Sequence, residues 1–143
     1  MEIRHLGAGD EDVAGRACRV FAASSEFDTS AFLRRRDAAL IVAEDESGIA
    51  GWVYGHELIH PDGDRTMVLY ALDVAERSRG HGFGKMLVAA FIDHARAIGC
   101  TEVWVLTDDA NAAAMATYAS AGGHRNLVDQ VMFSWQLAAG RHS

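Results

Sequence analysis

A single proline, Pro61, stands in the 143 residues. That scarcity excludes a proline-rich linker or an extended polyproline ligand. Cysteine is nearly as rare. Cys18 and Cys100 form no CxxC pair, so a disulfide scaffold is excluded and reduced thiols are expected. No apolar run approaches the roughly 18 residues of a membrane span, and the opening "MEIRHLGAGDED" has no signal-peptide hydrophobic region. The expectation is a cytoplasmic protein without a membrane partner. Positive charge is also in deficit. A net charge of −7 makes nucleic acid and anionic membranes poor partners and suits a cationic ligand. Internal repeats and low-complexity tracts are missing too.

What is present is ordinary globular material, 50% hydrophobic and 23% charged. Residues 1–138 read as a single domain and 139–143 as a C-terminal tail. Residues 2–6 predict a strand. Asp10 predicts the cap of a helix with Val13, Ala17, Val20 and Phe21 on one face. A second helix is expected from Ser30 to Asp37, with "LRRR" in its last turn. "ALIVAED" and "GIAGWVYGHE" predict a hairpin turning at "DESG", and "TMVLYALDV" another strand after the loop "HPDGD". Helical spacing runs from Phe83 to Ile98 and stops at Gly99. "EVWVLTD" predicts a strand, "NAAAMATYASA" a helix ending at Gly122, and "DQVMFSWQL" a closing strand. The order is β-α-α-β-β-β-α-β-α-β, an α/β (α+β) mixed sheet with helices on both faces.

Between the strand "YALDV" and the helix at Phe83 lies "RSRGHGFGKML", with glycine at Gly80, Gly82 and Gly84. Glycine at this density costs backbone entropy, so the bare backbone answers a need. Amide N–H groups beside a helix N-terminus make an anion site suited to a pyrophosphate. The dinucleotide pattern GxGxxG fails because it needs glycine where Lys85 stands. The triphosphate loop GxxxxGK[ST] fails at Arg79 and Met86.

Arg79-Gly80-His81-Gly82-Phe83-Gly84 does match the (Q/R)xxGx(G/A) loop of the GNAT acetyltransferases. "LDVAERSRGHGFGKML" resembles that family's whole strand–loop–helix unit. Downstream, "NAAAMATYASAG" is similar to its second signature, with Asn111, then Tyr118, then Gly122. The resemblance implies the GNAT fold with splayed central strands, acetyl-CoA as acetyl donor, no metal, and a homodimer.

It also implies roles. Backbone N–H groups of Arg79, Gly80, His81, Gly82, Phe83, Gly84 and Lys85 would bind the pyrophosphate. Leu72-Asp73-Val74 would splay from "EVWVL" and pair with the pantetheine arm, polarising the thioester carbonyl. Asn111 would hydrogen-bond the cofactor, although an Asn at this place also starts helices. Tyr118 would protonate the departing thiolate. Within the family the chain looks most like the aminoglycoside 3-N-acetyltransferases, which implies a 3-amino group as acceptor. Another small amine or a peptide amine is the alternative, and so is an acyl-CoA-binding homologue without catalysis. That subgroup carries an acidic residue directly after the strand tyrosine, Tyr70 here, whereas this chain has Ala71. Gly123 stands where most of the family has an aromatic, which fits the subgroup. Asp73, two residues on from Ala71 and on the same face by alternation, is one candidate base; Glu57 is the other. Glu57, Asp62, Asp108, Asp109 and Asp129 fall at strand ends or loops where a mouth for a polyamine would lie, and Tyr70 and Asp108 join Glu57 as candidate acceptor contacts.

"HELIH", residues 56–60, is a literal HExxH. Zinc chemistry needs both histidines on one helical face. "GWVYG" before it is strand-like and Pro61 disfavours a helical His60, so the spacing predicts a strand end and a turn instead.

Overall fold

In β2 (Ala38–Asp45) the apolar residues are continuous rather than alternating, which is the pattern of a strand covered on both faces. The computed structural model, which describes residues 1–22, 24, 27–126 and 131–137, shows both covers. Leu40 and Val42 pack into a core with Val13, Ala14 and Ala17 of α1 (Glu11–Phe21) and Leu33 of α2 (Ser30–Leu33). Ala39, Ile41 and Ala43 turn the other way, onto Leu87, Val88 and Phe91 of α3 (Phe83–Ala97). Helices therefore lie on both sides of the sheet, as the element order implies. No helix among the described residues is long and apolar enough to cross a membrane.

The sheet has five strands in chain order: β1 (Glu2–Leu6), β2, β3 (Gly48–Ile59), β4 (Arg65–Val74) and β5 (Glu102–Trp104). The first four pair antiparallel, and β5 runs parallel to β4 through the α3 crossover. The register of β3 on β4 shifts at Tyr54/Gly55: Tyr54 faces Ala71 and Gly55 faces Leu69, leaving Tyr70 as the extra residue of a β-bulge. Gly55 lies at that shift. A Cβ there would stand 1.9 Å from the Val68 carbonyl oxygen and 2.7 Å from the Phe91 ring, so only glycine lets β4 and α3 come this close.

Four expectations are corrected. Asp10 precedes α1, but its carboxylate accepts the Gly7 N–H (2.8 Å) and faces Arg4 instead of capping the helix, and Val20 is 51% exposed. α2 stops at Leu33, short of the predicted Asp37. Arg35 clasps Asp37 in two hydrogen bonds of 2.8 and 2.7 Å, and the Asp37 carbonyl accepts the Glu57 N–H, drawing the chain into the β2–β3 ladder. β5 ends at Trp104, three residues into the predicted seven-residue strand. The predicted closing strand begins at 129–130, outside the described residues, and residues 131–137 form no strand. Val131, Met132, Phe133, Trp135 and Leu137 are 77–93% exposed there. So short a β5 offers little edge on which a further strand can pair. The tail at 139–143 also lies outside the described residues.

Candidate active site

β4, the glycine loop and α3 build the centre of the site. A 3-10 turn over Glu76–Ser78 leaves β4, and Gly80 and Gly82 follow with φ of +80° and +82°. L side chains rarely adopt this left-handed backbone, which accounts for two of the three glycines. Nothing lies within 4 Å of a Cβ at either position, so the loop faces open space. Gly82 is the N-cap of α3, and Met86 is the first residue whose N–H is taken by a carbonyl of the loop, that of Gly82. Among the described residues, the amides from Gly80 to Lys85 have no protein acceptor. They form a row of free donors at a helix N-terminus, where the dipole also favours an anion. Gly84 has another reason: a Cβ would meet Thr117 of α4 (Ala112–Ser120) at 3.2 Å.

Beside the loop the sheet opens. β5 pairs with β4 only at Thr66–Val68, whereas β4 continues to Val74. Leu72, Asp73 and Val74 thus lie along an edge that no described strand covers, which is the expected splay. Arg79 reaches back to the Val74 carbonyl through Nε (3.4 Å), so its guanidinium flanks the same opening. His81 Nδ1 sits 3.1 Å from the Ser78 carbonyl, closing the loop, and Lys85 is exposed on the first turn of α3.

Tyr118 projects from α4, half-buried against the α3 core, and its hydroxyl has no protein partner among the described residues. Burial, with the nearby Asp73 charge, holds its phenol above the ordinary tyrosine value. Asp73 accepts the Trp52 indole N–H at 2.9 Å through Oδ2. Leu72 packs with the α3 core while Asp73 meets Trp52 of the α1 core, so the predicted alternation holds at the end of β4. Asp73 and Tyr118 are thereby brought to one end of the open edge.

Tyr70, the bulge residue, is 60% exposed and rests on Tyr54 at 5.7 Å between ring centroids. Tyr54 in turn meets Trp52 (5.2 Å) and Phe32 (5.7 Å) edge-on. Burial and the Tyr70 and Asp73 charges raise the Tyr54 phenol as well. Sequence reasoning missed Trp52 and Tyr54. Their signal was the alternation of "WVY" opposite "ALD", legible only once the β3–β4 register is known.

Other candidates stand elsewhere. Glu57 lies on the α3 side of β3, clasped by Arg65 (Nε to Oε2 3.0 Å) with Cys100 Sγ at 3.8 Å. His56 goes to the opposite face, against Phe32, and His60 follows the strand with Nε2 3.1 Å from Thr66 Oγ1. The HExxH residues thus sit on a strand and a turn, without the shared helical face. Asp108 accepts the Ala110 N–H (2.9 Å) and shapes the turn before α4. Asn111 caps that helix, Oδ1 accepting from Ala114 at 3.0 Å. Asp109 faces Arg125, Asp62 accepts the Asp64 N–H, and Asp129 is outside the described residues. Gly123 closes α4 by donating to the Tyr118 carbonyl at 2.9 Å, and a Cβ there would crowd that oxygen.

The family model described as "Acetyltransferase (GNAT) family" matches residues 11–122. A mycothiol acetyltransferase of Sanguibacter keddieii is 30% identical over 145 aligned residues, covering 92% of this chain and 46% of that protein. One from Kocuria rhizophila is 40% identical over 74 residues, covering 50% of this chain and 24% of its own. The chain spans less than half the length of these relatives. Among solved structures, an aminoglycoside acetyltransferase from an uncultured soil metagenomic sample, in complex with sisomicin, superposes with a TM-score of 0.84 at 20% identity, covering 94% of this chain and 96% of that one. A ribosomal-protein-alanine N-acetyltransferase from Brucella melitensis gives 0.73 at 18% identity over 94% of this chain and 100% of its own.

Proposed function

The chain belongs to the acetyltransferase (GNAT) family, and from that premise we propose that it moves the acetyl group of acetyl-CoA onto a primary amine by direct attack. The observation that carries this reading is the pairing of the open β4 edge with the row of unpartnered amides from Gly80 to Lys85. Those amides, with Arg79, suit the pyrophosphate. The uncovered backbone of Leu72–Val74 suits the peptide-like pantetheine arm. Acetyl-CoA held by these groups would supply the activated thioester. Asn111 caps α4 with Oδ1 and keeps its side-chain NH2 group for the cofactor.

Tyr118 holds its proton because burial disfavours the phenolate, so it serves as general acid toward the departing thiolate. The attacking amine must be neutral. Asp73, one oxygen on Trp52 and the other free of protein partners among the described residues, is positioned to take its proton, directly or through water. Glu57 is less suited to either candidate role, base or acceptor contact, because Arg65 already neutralises it on the far face.

The favoured acceptor is the 3-amino group of an aminoglycoside. The net negative charge and the similarity to aminoglycoside acetyltransferase structures support it. The second reading is a different small amine, such as the acceptor of the mycothiol acetyltransferases, favoured by their higher sequence identity. The reading extends to a cytoplasmic homodimer, and light scattering on the purified protein checks the dimer.

The test is thiol release from acetyl-CoA with a panel of aminoglycosides, polyamines and peptide amines. Release confined to aminoglycosides, with acetylation at the 3-amino group, is the expected result. Saturable acetyl-CoA binding with no release across the panel would mean a protein that binds without catalysing.

A further inference from the structure

On the α1–α2 side of the sheet a line of aromatic rings leads to the reacting end of β4. Phe32 meets Tyr54, Tyr54 meets both Trp52 and Tyr70, and Trp52 holds Asp73. Packing explains the inner members: Trp52 is only 7% exposed and belongs to the α1 core. It does not explain Tyr70. A bulge residue has no cross-strand partner of its own, yet Tyr70 carries a large ring that stays 60% exposed. The bulge aims this ring at Tyr54, three residues before Asp73. The tilt between the two tyrosine planes is 43°, so they form an open angle and not a closed stack.

Two aromatic faces ending at a carboxylate make a site for one kind of group. Ring faces attract a cation and the C–H bonds beside it, and the carboxylate attracts the ammonium directly. A flat, open pair of faces gains most from a rigid ring that presents several C–H bonds at once with little rotamer entropy to lose. A flexible chain loses more on being held.

We propose that Tyr70 and Tyr54 form a platform for the acceptor, that Asp73, positioned by the Trp52 indole N–H, engages its ammonium, and that the acceptor is an amine borne directly on a saturated ring, an amino sugar or aminocyclitol. This rests on the acetyltransferase reading with its favoured aminoglycoside acceptor and deepens it by naming the residues that select that acceptor. Trp52 is a positioning residue: its N–H occupies one carboxylate oxygen and leaves the other for the acceptor. Tyr70 is a specificity residue.

The experiment compares wild type with Tyr70→Ala, Tyr70→Phe and Trp52→Phe, using 2-deoxystreptamine-based aminoglycosides and glucosamine against spermidine and an alanyl peptide. Wild type is expected to turn over ring-borne amines in preference to the linear ones. Y70A should raise the KM for the ring amine about tenfold and leave the KM for acetyl-CoA unchanged, and Y70F should recover most of that loss. W52F keeps the ring in the core but removes the N–H. It should lower kcat for the amine several-fold without moving the KM for acetyl-CoA, a split that simple loosening of the core would not give. Turnover of linear amines alone, or a Y70A variant with unchanged acceptor KM, overturns the proposal while leaving the acetyltransferase reading intact. If no amine supports thiol release, the acetyltransferase reading fails, and the platform is judged by binding alone. Quenching of tryptophan fluorescence by 2-deoxystreptamine that saturates in wild type and weakens about tenfold in Y70A supports it, and no saturable quenching overturns it.

Discussion

In the proposed reaction Tyr118 and Asp73 divide the proton chemistry between one group that keeps its proton and one that accepts one. Tyr118 is protonated over a wider range than a free tyrosine because its surroundings oppose the phenolate. Replacing it by Phe should therefore lower kcat by roughly 10²- to 10⁴-fold at every pH while acetyl-CoA still binds. Steady-state rates from pH 6 to 10 check this, and unchanged turnover throughout would remove the general acid. Gly80 and Gly82 make a different prediction. Each sits in the left-handed region with open space around it, so alanine is penalised by its backbone and not by a clash. Each change should cost about 1–2 kcal/mol in the loop and raise the KM for acetyl-CoA more than it lowers the melting temperature. These residues were legible in the sequence because glycine spacing and a tyrosine seven residues after an asparagine are local patterns. The Trp52–Asp73 hydrogen bond was not. It joins residues 21 apart through a ladder that carries a register shift, and a bulge breaks the two-residue count on which strand reasoning depends.

At the scale of elements, α3 and β1 read correctly, whereas α2 and β5 were read too long. α3 keeps its apolar face through four turns, and its tertiary contacts agree with its periodicity, so Phe83 and Gly99 bracket it as expected. α2 had only "SAFL" to bury, and an Arg35–Asp37 pair ends it before "LRRR" completes another turn. β5 was read as longer because Val105, Leu106 and Thr107 continue the apolar and β-branched run past Trp104, but pairing sets a strand's length and β4 diverges there. β3, β4 and α3 also meet closely at Gly55. Gly55→Ala should be severely destabilising, because its Cβ would overlap the Val68 carbonyl and the Phe91 ring, neither of which can move without breaking the ladder or the core. Chemical denaturation should show a loss of about 3 kcal/mol or more, or no folded protein at all.

Across the whole molecule, the end far from the glycine loop carries a pH dependence of its own. His5 of β1 and His94 of α3 meet edge-on at 4.4 Å. Burial lowers both imidazoles, the nearby His94 lowers His5 further, and Glu57 partly favours the charged form of His94. Their folded values lie below the unfolded value of about 6.5, so the unfolded chain binds more protons in that window. Stability should be flat above neutrality and fall as pH drops below about 6.5. His94→Gln should flatten this acid limb, and melting temperatures from pH 8 to 5 check it. An acid limb as steep in H94Q as in wild type would place the titrating group elsewhere.

The gap between β4 and β5 also makes the sheet an unfinished object. From Leu69 to Val74, alternate amides point into a space where no described strand answers them. Such amides should trade deuterium quickly in the free protein, although they belong to a strand whose other edge pairs with β3 on both sides of the Tyr70 bulge. In the proposed binding mode a ligand in the gap would act as the missing strand, its own amides and carbonyls completing the ladder. Acetyl-CoA should therefore slow exchange across 69–74 and leave the β1–β2 amides unchanged, so that binding is recorded as the closing of a sheet.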